Sequence, residues 1–163
     1  MGVWRRLFEV LRSTGLGSVP ARSGSITSEK LSDRECGQLM EAAHEASTTA
    51  FAPWSEFPVG AALLTDSGEV YRGCNVENPS FGLTMCAERV AAFTALAALG
   101  RDRLAVRALA VANREGKPCS PCGACRQVLA ELAPNAMVVF QDDTGIHQVP
   151  IESLLPHQFD PSE

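Results

Sequence analysis

Residues 84–100 read TMCAERVAAFTALAALG and residues 119–127 read CSPCGACRQ, and these two stretches decide the fold. In the first stretch, Thr84 is suited to cap a helix that covers the remainder. In the second stretch, Ser120 and Pro121 are typical of an N-cap and a first helical residue. We therefore predict two helices, each with a cysteine-bearing motif at its start.

The sequence around these stretches alternates between helical and strand patterns. Ser32, with Glu35 three residues later, predicts a capping box at the start of a helix that ends near Ala50. The predicted elements are, in chain order, helix 32–50, strands 59–65 and 69–75, helix 84–99, strand 105–112, helix 120–133, strand 136–141, a short strand near Gln148 and a helical turn at 151–155. Helices between near-continuous apolar strands indicate an α/β fold with a layered sheet.

Length and charge limit the class of protein. The chain has 163 residues and a formal net charge of −5, and its length fits one domain. An acidic balance gives no general attraction to phosphate backbones, so we expect no nucleic-acid partner. Because no apolar run approaches the roughly 18–20 residues of a membrane span, we expect no membrane partner either.

Residues 1–31 differ in composition from the rest of the chain, since they are rich in arginine, glycine and serine. We interpret them as a flexible N-terminal extension, with the folded domain at residues 32–163. A membrane-surface or partner-binding helix and a transit peptide are alternative interpretations of this segment.

Three cysteines and one carboxylate form the main chemical motif. Cys86, Cys122 and Cys125 supply three thiolates, as many protein ligands as a catalytic zinc site uses when its fourth position holds water. Glu88 lies two residues from a ligand and suits a proton shuttle beside a metal-activated water. Helix N-termini also favour thiolates. The spacing therefore predicts a catalytic Zn²⁺ site.

Other interpretations of the cysteines stay open. Taken alone, Cys86 fits a buried apolar residue, and the Cys-x-x-Cys pair fits a redox dithiol or half of a structural zinc knuckle. With Cys119, the pair becomes a longer run that resembles iron–sulfur ligation or a four-cysteine structural zinc site. Cys36 and Cys74 are interpreted as packing residues. The metal-like spacing, without a secretory apolar region, favours a reducing, cytoplasmic compartment.

Arg89 follows Glu88 directly and lies one turn beyond Cys86. Three thiolates give a zinc site a net negative charge, which weakens the ability of the zinc ion to lower the pKa of bound water. Groups that donate hydrogen bonds to metal ligands tune a metal in this way. We therefore predict that Arg89 donates to the ligand sulfurs and withdraws charge from them.

Four motifs stand in order along the chain. They are Phe57-Pro58-Val59-Gly60-Ala61-Ala62-Leu63, Gly73-Cys74-Asn75-Val76-Glu77-Asn78, Cys86-Ala87-Glu88-Arg89 and Ser120-Pro121-Cys122-Gly123-Ala124-Cys125-Arg126-Gln127, and Glu152-Ser153-Leu154-Leu155-Pro156 also fits. In this order they resemble the small zinc-dependent cytidine deaminases, over about residues 33–160. The resemblance implies a three-layer α-β-α fold with a mixed five-stranded sheet. It also implies hydrolysis of cytidine and deoxycytidine to uridine and deoxyuridine in pyrimidine salvage, by a homotetramer whose neighbouring subunits complete each site.

The resemblance implies a role for each matching residue. The implied zinc ligands are Cys86, Cys122 and Cys125, and the implied proton shuttle is Glu88. The implied substrate contacts are Asn75 and Glu77 on the ribose 3′-hydroxyl, Phe57 on the pyrimidine ring, and the Ala87 backbone with the carbonyl near Ser120 on the amide edge of the base. On pattern alone, Asn75 also fits the end of a strand, and Phe57 also fits a core position.

Three alternative functions stay open at this point. A blasticidin S-type deaminase shares the zinc motifs, although we expect a residue other than arginine after its Cys-Ala-Glu. A polynucleotide cytosine deaminase needs basic grooves and stacking aromatics, of which this chain has few. A non-catalytic zinc or iron–sulfur binding module does not need Glu88.

One departure from the family concerns Phe81, where many relatives carry a tyrosine that contacts a neighbouring subunit's site.

Overall fold

The computed structural model describes residues 29–158, and its elements follow the predicted order. The proposed boundary between residues 31 and 32 stays a prediction, because most of the extension lies outside the described residues. The helices and strands are α1 Asp33–Ser47, β1 Val59–Thr65, β2 Val70–Cys74, α2 Ala87–Leu99, β3 Val106–Asn113, α3 Gly123–Leu132, β4 Met137–Asp142, β5 Gly145–Pro150 and α4 Ile151–Leu154. Within residues 29–158, no helix has both the length and the apolar character needed to cross a membrane.

The strands form one mixed five-stranded sheet in the order β2-β1-β3-β4-β5. Strands β3 and β4 are parallel, and the other neighbouring pairs are antiparallel. Helix α1 covers one face of the sheet, where Leu39 and Ala43 pack against Ala110. Helices α2, α3 and α4 cover the other face. The predicted three-layer α-β-α fold is therefore confirmed.

Helix α1 begins with the predicted capping box. The Ser32 hydroxyl accepts the Glu35 N–H, and the Glu35 carboxylate accepts the Ser32 N–H at 3.0 Å. Arg107 on β3 adds a salt bridge to the same carboxylate at 2.7 Å. The helix ends at Ser47 and not near Ala50, because the Thr48 hydroxyl turns back to donate to the last turn.

Helices α2 and α3 begin two residues later than predicted. Their N-caps are Cys86 and Cys122, both with extended backbones, and not Thr84 and Ser120. The Thr84 hydroxyl instead accepts the Asn78 N–H at 3.1 Å and closes the loop that precedes α2. The prediction of hydroxyl caps was therefore wrong for α2 and α3, because a cysteine occupies the N-cap position of both helices.

Gly73 lets helix α2 approach strand β2 until their backbones touch. A Cβ atom at this position would lie 2.4 Å from the Ala91 nitrogen and 2.7 Å from the Ala87 carbonyl oxygen. No real Cβ atom sits so close to backbone atoms, so any side chain here would push the helix away from the sheet. Gly73 thus sets the depth at which the motif of residues 86–89 lies.

We expect Gly73→Ala to lower the free energy of unfolding by at least the roughly 1–3 kcal/mol typical of overpacking. The matched control is Gly37→Ala on the exposed side of α1, where nothing lies within 4 Å of the new methyl group. Because glycine costs about 0.5–1 kcal/mol relative to alanine inside a helix, this control should gain stability. Urea unfolding measures both variants, and a stable Gly73→Ala protein would contradict the packing argument.

Candidate functional site

Three cysteine sulfurs meet where the N-termini of α2 and α3 converge. Cys86 and Cys122 are the N-caps of these helices, and Cys125 lies in the first turn of α3. The Sγ atoms of Cys86 and Cys122 are 3.8 Å apart, and those of Cys122 and Cys125 are 3.4 Å apart. All three sulfurs lie within 4.8 Å of one another. The structure thus brings the three predicted ligands together.

The cluster has the dimensions and chemistry of a zinc site. Two sulfurs bound tetrahedrally to zinc at about 2.3 Å are about 3.8 Å apart, which agrees with the observed separations. Thiolate ligands in this geometry favour zinc among the common divalent ions. Within residues 29–158 the cluster contains three ligand groups, so the fourth tetrahedral position is left for a small molecule.

The surroundings of Cys86 favour its ionised form. The thiols of Cys125 and Cys122 and the guanidinium of Arg89 lower the pKa of Cys86 to about 5. The pKa of Cys125 is raised, because its thiol donates toward Cys86 and is buried. The Cys86 sulfur therefore holds negative charge at neutral pH, which suits the cluster to a cation.

Glu88 lies in the first turn of α2 and is almost completely buried, with 4% of its surface exposed. Burial raises the pKa of this carboxyl, and the negative charge of Cys86 raises it further. A buried carboxyl beside a metal ligand is suited to accept and release protons.

Arg89 makes the contact that the sequence predicted. Its Nη2 atom donates to the Cys86 sulfur at 3.6 Å and to the Thr84 carbonyl oxygen at 3.3 Å. The Cys86 sulfur raises the pKa of Arg89, so the guanidinium stays charged. Its buried Nε has no hydrogen-bond partner among the described residues. The geometry thus allows charge withdrawal, although its effect on reactivity stays a prediction.

Cys119 lies outside the three-sulfur cluster. Its backbone N–H donates to the Gln141 carbonyl oxygen at 2.9 Å, which fixes it beside β4. Burial, with the nearby charges of Glu88 and Cys86, raises the pKa of its thiol to about 12. The run from Cys119 to Cys125 is therefore not gathered as one four-ligand site.

A cleft of about 410 Å³ lies between the turn at residues 54–55 and the segment of residues 77–84. Its lining residues are Trp54, Ser55, Glu77, Asn78, Phe81 and Thr84. The cleft and the cluster are joined through Arg89, which bonds both the Thr84 carbonyl and the Cys86 sulfur. Of the predicted substrate residues, Glu77 lines this cleft directly.

The other predicted substrate residues, Phe57, Asn75 and Ala87, are not among the residues that line this cleft. Phe57 is half-buried and packs against the edge of the core, and Ala87 is fully buried at the first position of α2. The Asn75 side chain contacts the backbone on both sides of Pro58, at the Phe57 carbonyl and the Val59 N–H. Hydrogen bonds from the Ser55 side chain and the Trp54 N–H lower the pKa of Glu77, so its carboxylate is ionised.

Sequence reasoning missed Trp54, Ser55 and the real role of Thr84. The first two line the cleft and donate backbone N–H groups to Glu77. A turn-like Pro53-Trp54-Ser55 stretch ahead of Phe57 was the available signal. It indicates a turn, but it does not indicate which carboxylate the turn surrounds.

Comparison with known proteins gives consistent matches. Residues 34–141 match the family described as "Cytidine and deoxycytidylate deaminase zinc-binding region". The chain is 45% identical over 123 residues to a cytidine deaminase of Halalkalibacterium halodurans, covering 74% of this chain and 91% of that protein. It is 42% identical over 127 residues to a cytidine deaminase of Mycobacterium tuberculosis, covering 78% and 91%.

Solved structures of cytidine deaminases share the fold. The enzyme from Burkholderia pseudomallei matches with a TM-score of 0.70 and 47% identity, over 76% of this chain and 98% of that chain. The enzyme from Mycobacterium tuberculosis matches with a TM-score of 0.65 and 37% identity, over 76% and 96%. The family match and the three-cysteine cluster together make zinc the cofactor. This chain therefore belongs to the zinc-binding cytidine and deoxycytidylate deaminase family.

Proposed function

We propose that this protein is a cytidine deaminase, which hydrolyses cytidine and deoxycytidine to uridine and deoxyuridine in pyrimidine salvage. One observation carries the proposal: a three-cysteine cluster with room for a fourth ligand lies beside a buried carboxyl, Glu88. A purely structural zinc site uses four protein ligands and needs no such carboxyl.

Cys86, Cys122 and Cys125 hold the zinc ion in this proposal. When bound, zinc acts as a Lewis acid that lowers the pKa of a water molecule to about 7. Glu88 would take one proton from the attacking water and give it to ring N3 of the cytosine as the water oxygen adds to C4. It would then take the remaining proton from that oxygen and give it to the amine, so that the C4–N bond breaks and ammonia leaves.

The remaining predicted residues bind and orient the nucleoside. Ala87 is the first residue of α2, so its N–H has no acceptor within the helix and is available to the base. Phe57 offers an aromatic face to the pyrimidine ring. The ionised Glu77 and the Asn75 amide offer acceptors to the ribose 3′-hydroxyl.

A homotetramer in the cytoplasm completes the proposal. Large apolar side chains are exposed around the cleft, and Phe81 and Leu83 are 82% and 68% exposed. Apolar rims of this kind are typical of surfaces that a partner covers. All six cysteines are free thiols, as expected in a reducing compartment. Light scattering measures the assembly directly, and a monomer would contradict the tetramer.

The proposed activity is tested by the fall in ultraviolet absorbance as cytidine becomes uridine. Blasticidin S and single-stranded DNA are assayed beside cytidine and deoxycytidine. We expect efficient turnover of the two nucleosides. Turnover of blasticidin S alone, or of none of these substrates by zinc-loaded protein, would overturn the proposal.

The ligand assignment is tested by comparing two cysteine variants. Purified protein should carry about one zinc per chain. Cys122→Ser should lose the metal, because it removes one of three thiolates. Cys119→Ser is the matched control and should keep it, because that thiol lies outside the cluster. Zinc analysis measures both, and a need for Cys119 would reject the open three-ligand site.

Glu88→Gln tests the proton shuttle. The substitution keeps the shape of the side chain but removes its ability to accept a proton. Zinc should remain bound, and kcat should fall by at least the roughly 10²–10⁴-fold typical of one acid–base group. Steady-state kinetics on zinc-verified protein measures the change, and near-normal turnover would reject the mechanism.

Arg89→Ala tests charge withdrawal from the cluster. The variant should retain zinc but lose kcat more than affinity for substrate, because the interaction acts mainly in the transition state. Replacing Cys86 by histidine in the Arg89→Ala background removes one negative charge and should recover part of the lost turnover. If the double variant is no more active than Arg89→Ala, the arginine serves packing or assembly instead.

A further inference from the structure

The segment of residues 51–59 wraps around the segment of residues 75–77. Backbone hydrogen bonds join Phe51 N–H to the Asn75 carbonyl at 3.0 Å and Glu77 N–H to the Phe51 carbonyl at 2.8 Å. A third bond joins Asn75 N–H to the Val59 carbonyl at 3.0 Å. The segment that carries Phe57 is therefore anchored at both ends to the segment that carries the predicted sugar-binding side chains.

The Asn75 side chain spans Pro58. Its Oδ1 atom accepts the Val59 N–H at 2.8 Å, and its Nδ2 atom donates to the Phe57 carbonyl oxygen at 3.0 Å. Proline has no N–H, so these two contacts hold the polar backbone groups on either side of it. One acceptor and one donor of the amide are thus already engaged without any substrate.

Glu77 holds the turn that precedes Phe57. Its Oε2 atom accepts the N–H groups of Trp54 at 2.9 Å and Ser55 at 3.2 Å. The Ser55 hydroxyl then accepts the Phe57 N–H at 3.1 Å. Glu56 between them has a φ angle of 51°, a left-handed conformation that a residue with a side chain adopts at a cost. Such a turn persists only when its surroundings hold it.

We infer that Asn75 is a positioning residue for Phe57, and that it fixes the backbone of the stacking ring before any nucleoside binds. This inference rests on the proposed function for the role of the ring, and it adds a second role to the expected sugar contact. Because misplacement of a contact group by about 1 Å can cost about 10²-fold in rate, releasing Phe57 should affect every cytosine nucleoside.

Two substrates that differ only at the 3′-hydroxyl separate the two roles. We compare kcat/KM for 2′-deoxycytidine and 2′,3′-dideoxycytidine in the wild-type protein and in Asn75→Ala. If Asn75 positions Phe57, the variant should still lose about 10- to 100-fold on the dideoxy substrate, which has no 3′-hydroxyl to bind. If Asn75 binds only the sugar, its loss should vanish with the dideoxy substrate, which would overturn the inference.

The variant Asn75→Asp separates the acceptor function of the Asn75 amide from its donor function. Aspartate keeps an acceptor for the Val59 N–H and for a sugar hydroxyl, but it cannot donate to the Phe57 carbonyl. The positioning role therefore predicts a loss in this variant on both substrates. A double variant with Phe57→Ala measures the coupling on the dideoxy substrate, where Asn75→Ala should lower kcat/KM by less than about threefold once the ring is absent. Independent, multiplicative losses would overturn the inference.

Hydrogen exchange tests the positioning role without any turnover. In Asn75→Ala, amides in residues 51–59 should exchange faster than in the wild-type protein, because the clamp on Val59 and Phe57 is gone. Asn78→Ala is the matched control, since Asn78 lines the cleft and its side chain accepts the Ser80 N–H, whereas among the described residues it makes no side-chain hydrogen bond to residues 51–59. Unchanged exchange in Asn75→Ala would overturn the inference. Absence of deaminase activity in the wild-type protein would instead overturn the proposed function.

Discussion

The contact of helix α2 with strand β2 at Gly73 determines where the chemistry lies. The helix leaves space at Gly73 for a hydrogen atom but not for a Cβ atom, which would lie 2.4 Å from the Ala91 nitrogen. The helix contributes small residues to the same contact, and Ala87 and Ala91 are completely buried. Ala87, Ala91, Ala92 and Ala95 therefore pack within the chain's own core, whereas Ala97 and Ala98 near the end of the helix are exposed. A fixed helix depth in turn fixes where the start of α2, with Cys86 and Glu88, lies relative to the sheet.

Thiols at two N-cap positions have a further consequence for the helix starts. An N-cap side chain usually accepts a hydrogen bond from an N–H in the first turn, but neither Cys86 nor Cys122 makes such a bond. The first N–H groups of α2 therefore keep their partial positive charge directed toward the cluster and the cleft. The same geometry that stabilises a thiolate leaves the Ala87 N–H available for a ligand.

Helices and strands were predictable in kind and order, because their apolar periodicity and their turn residues are local signals. Helix starts were less predictable. Thr84 has the chemistry of a cap, but its hydroxyl closes a loop onto Asn78, a contact that helix patterns do not encode. The site's cysteines could be grouped from spacing, whereas the contacts of Asn75 and Glu77 could not. Those side chains bond backbone groups 16 to 23 residues earlier, and only the folded chain brings them together.

The two sides of the cleft are held by different chemistry. On one side, a single guanidinium nitrogen of Arg89 donates to the Cys86 sulfur and to the Thr84 carbonyl. The three-cysteine cluster and the loop of residues 78–84 therefore form one hydrogen-bonded unit. On the other side, Asn75 and Glu77 hold the turn that ends at Phe57. Between the two sides, the backbones of Val76 and Met85 form two hydrogen bonds with each other, both 2.9 Å long. Val76 lies between Asn75 and Glu77, and Met85 directly precedes Cys86, so this pair joins the two sides. The bond between Asn78 and the Thr84 hydroxyl joins them a second time, because Thr84 is tied to Cys86 through Arg89.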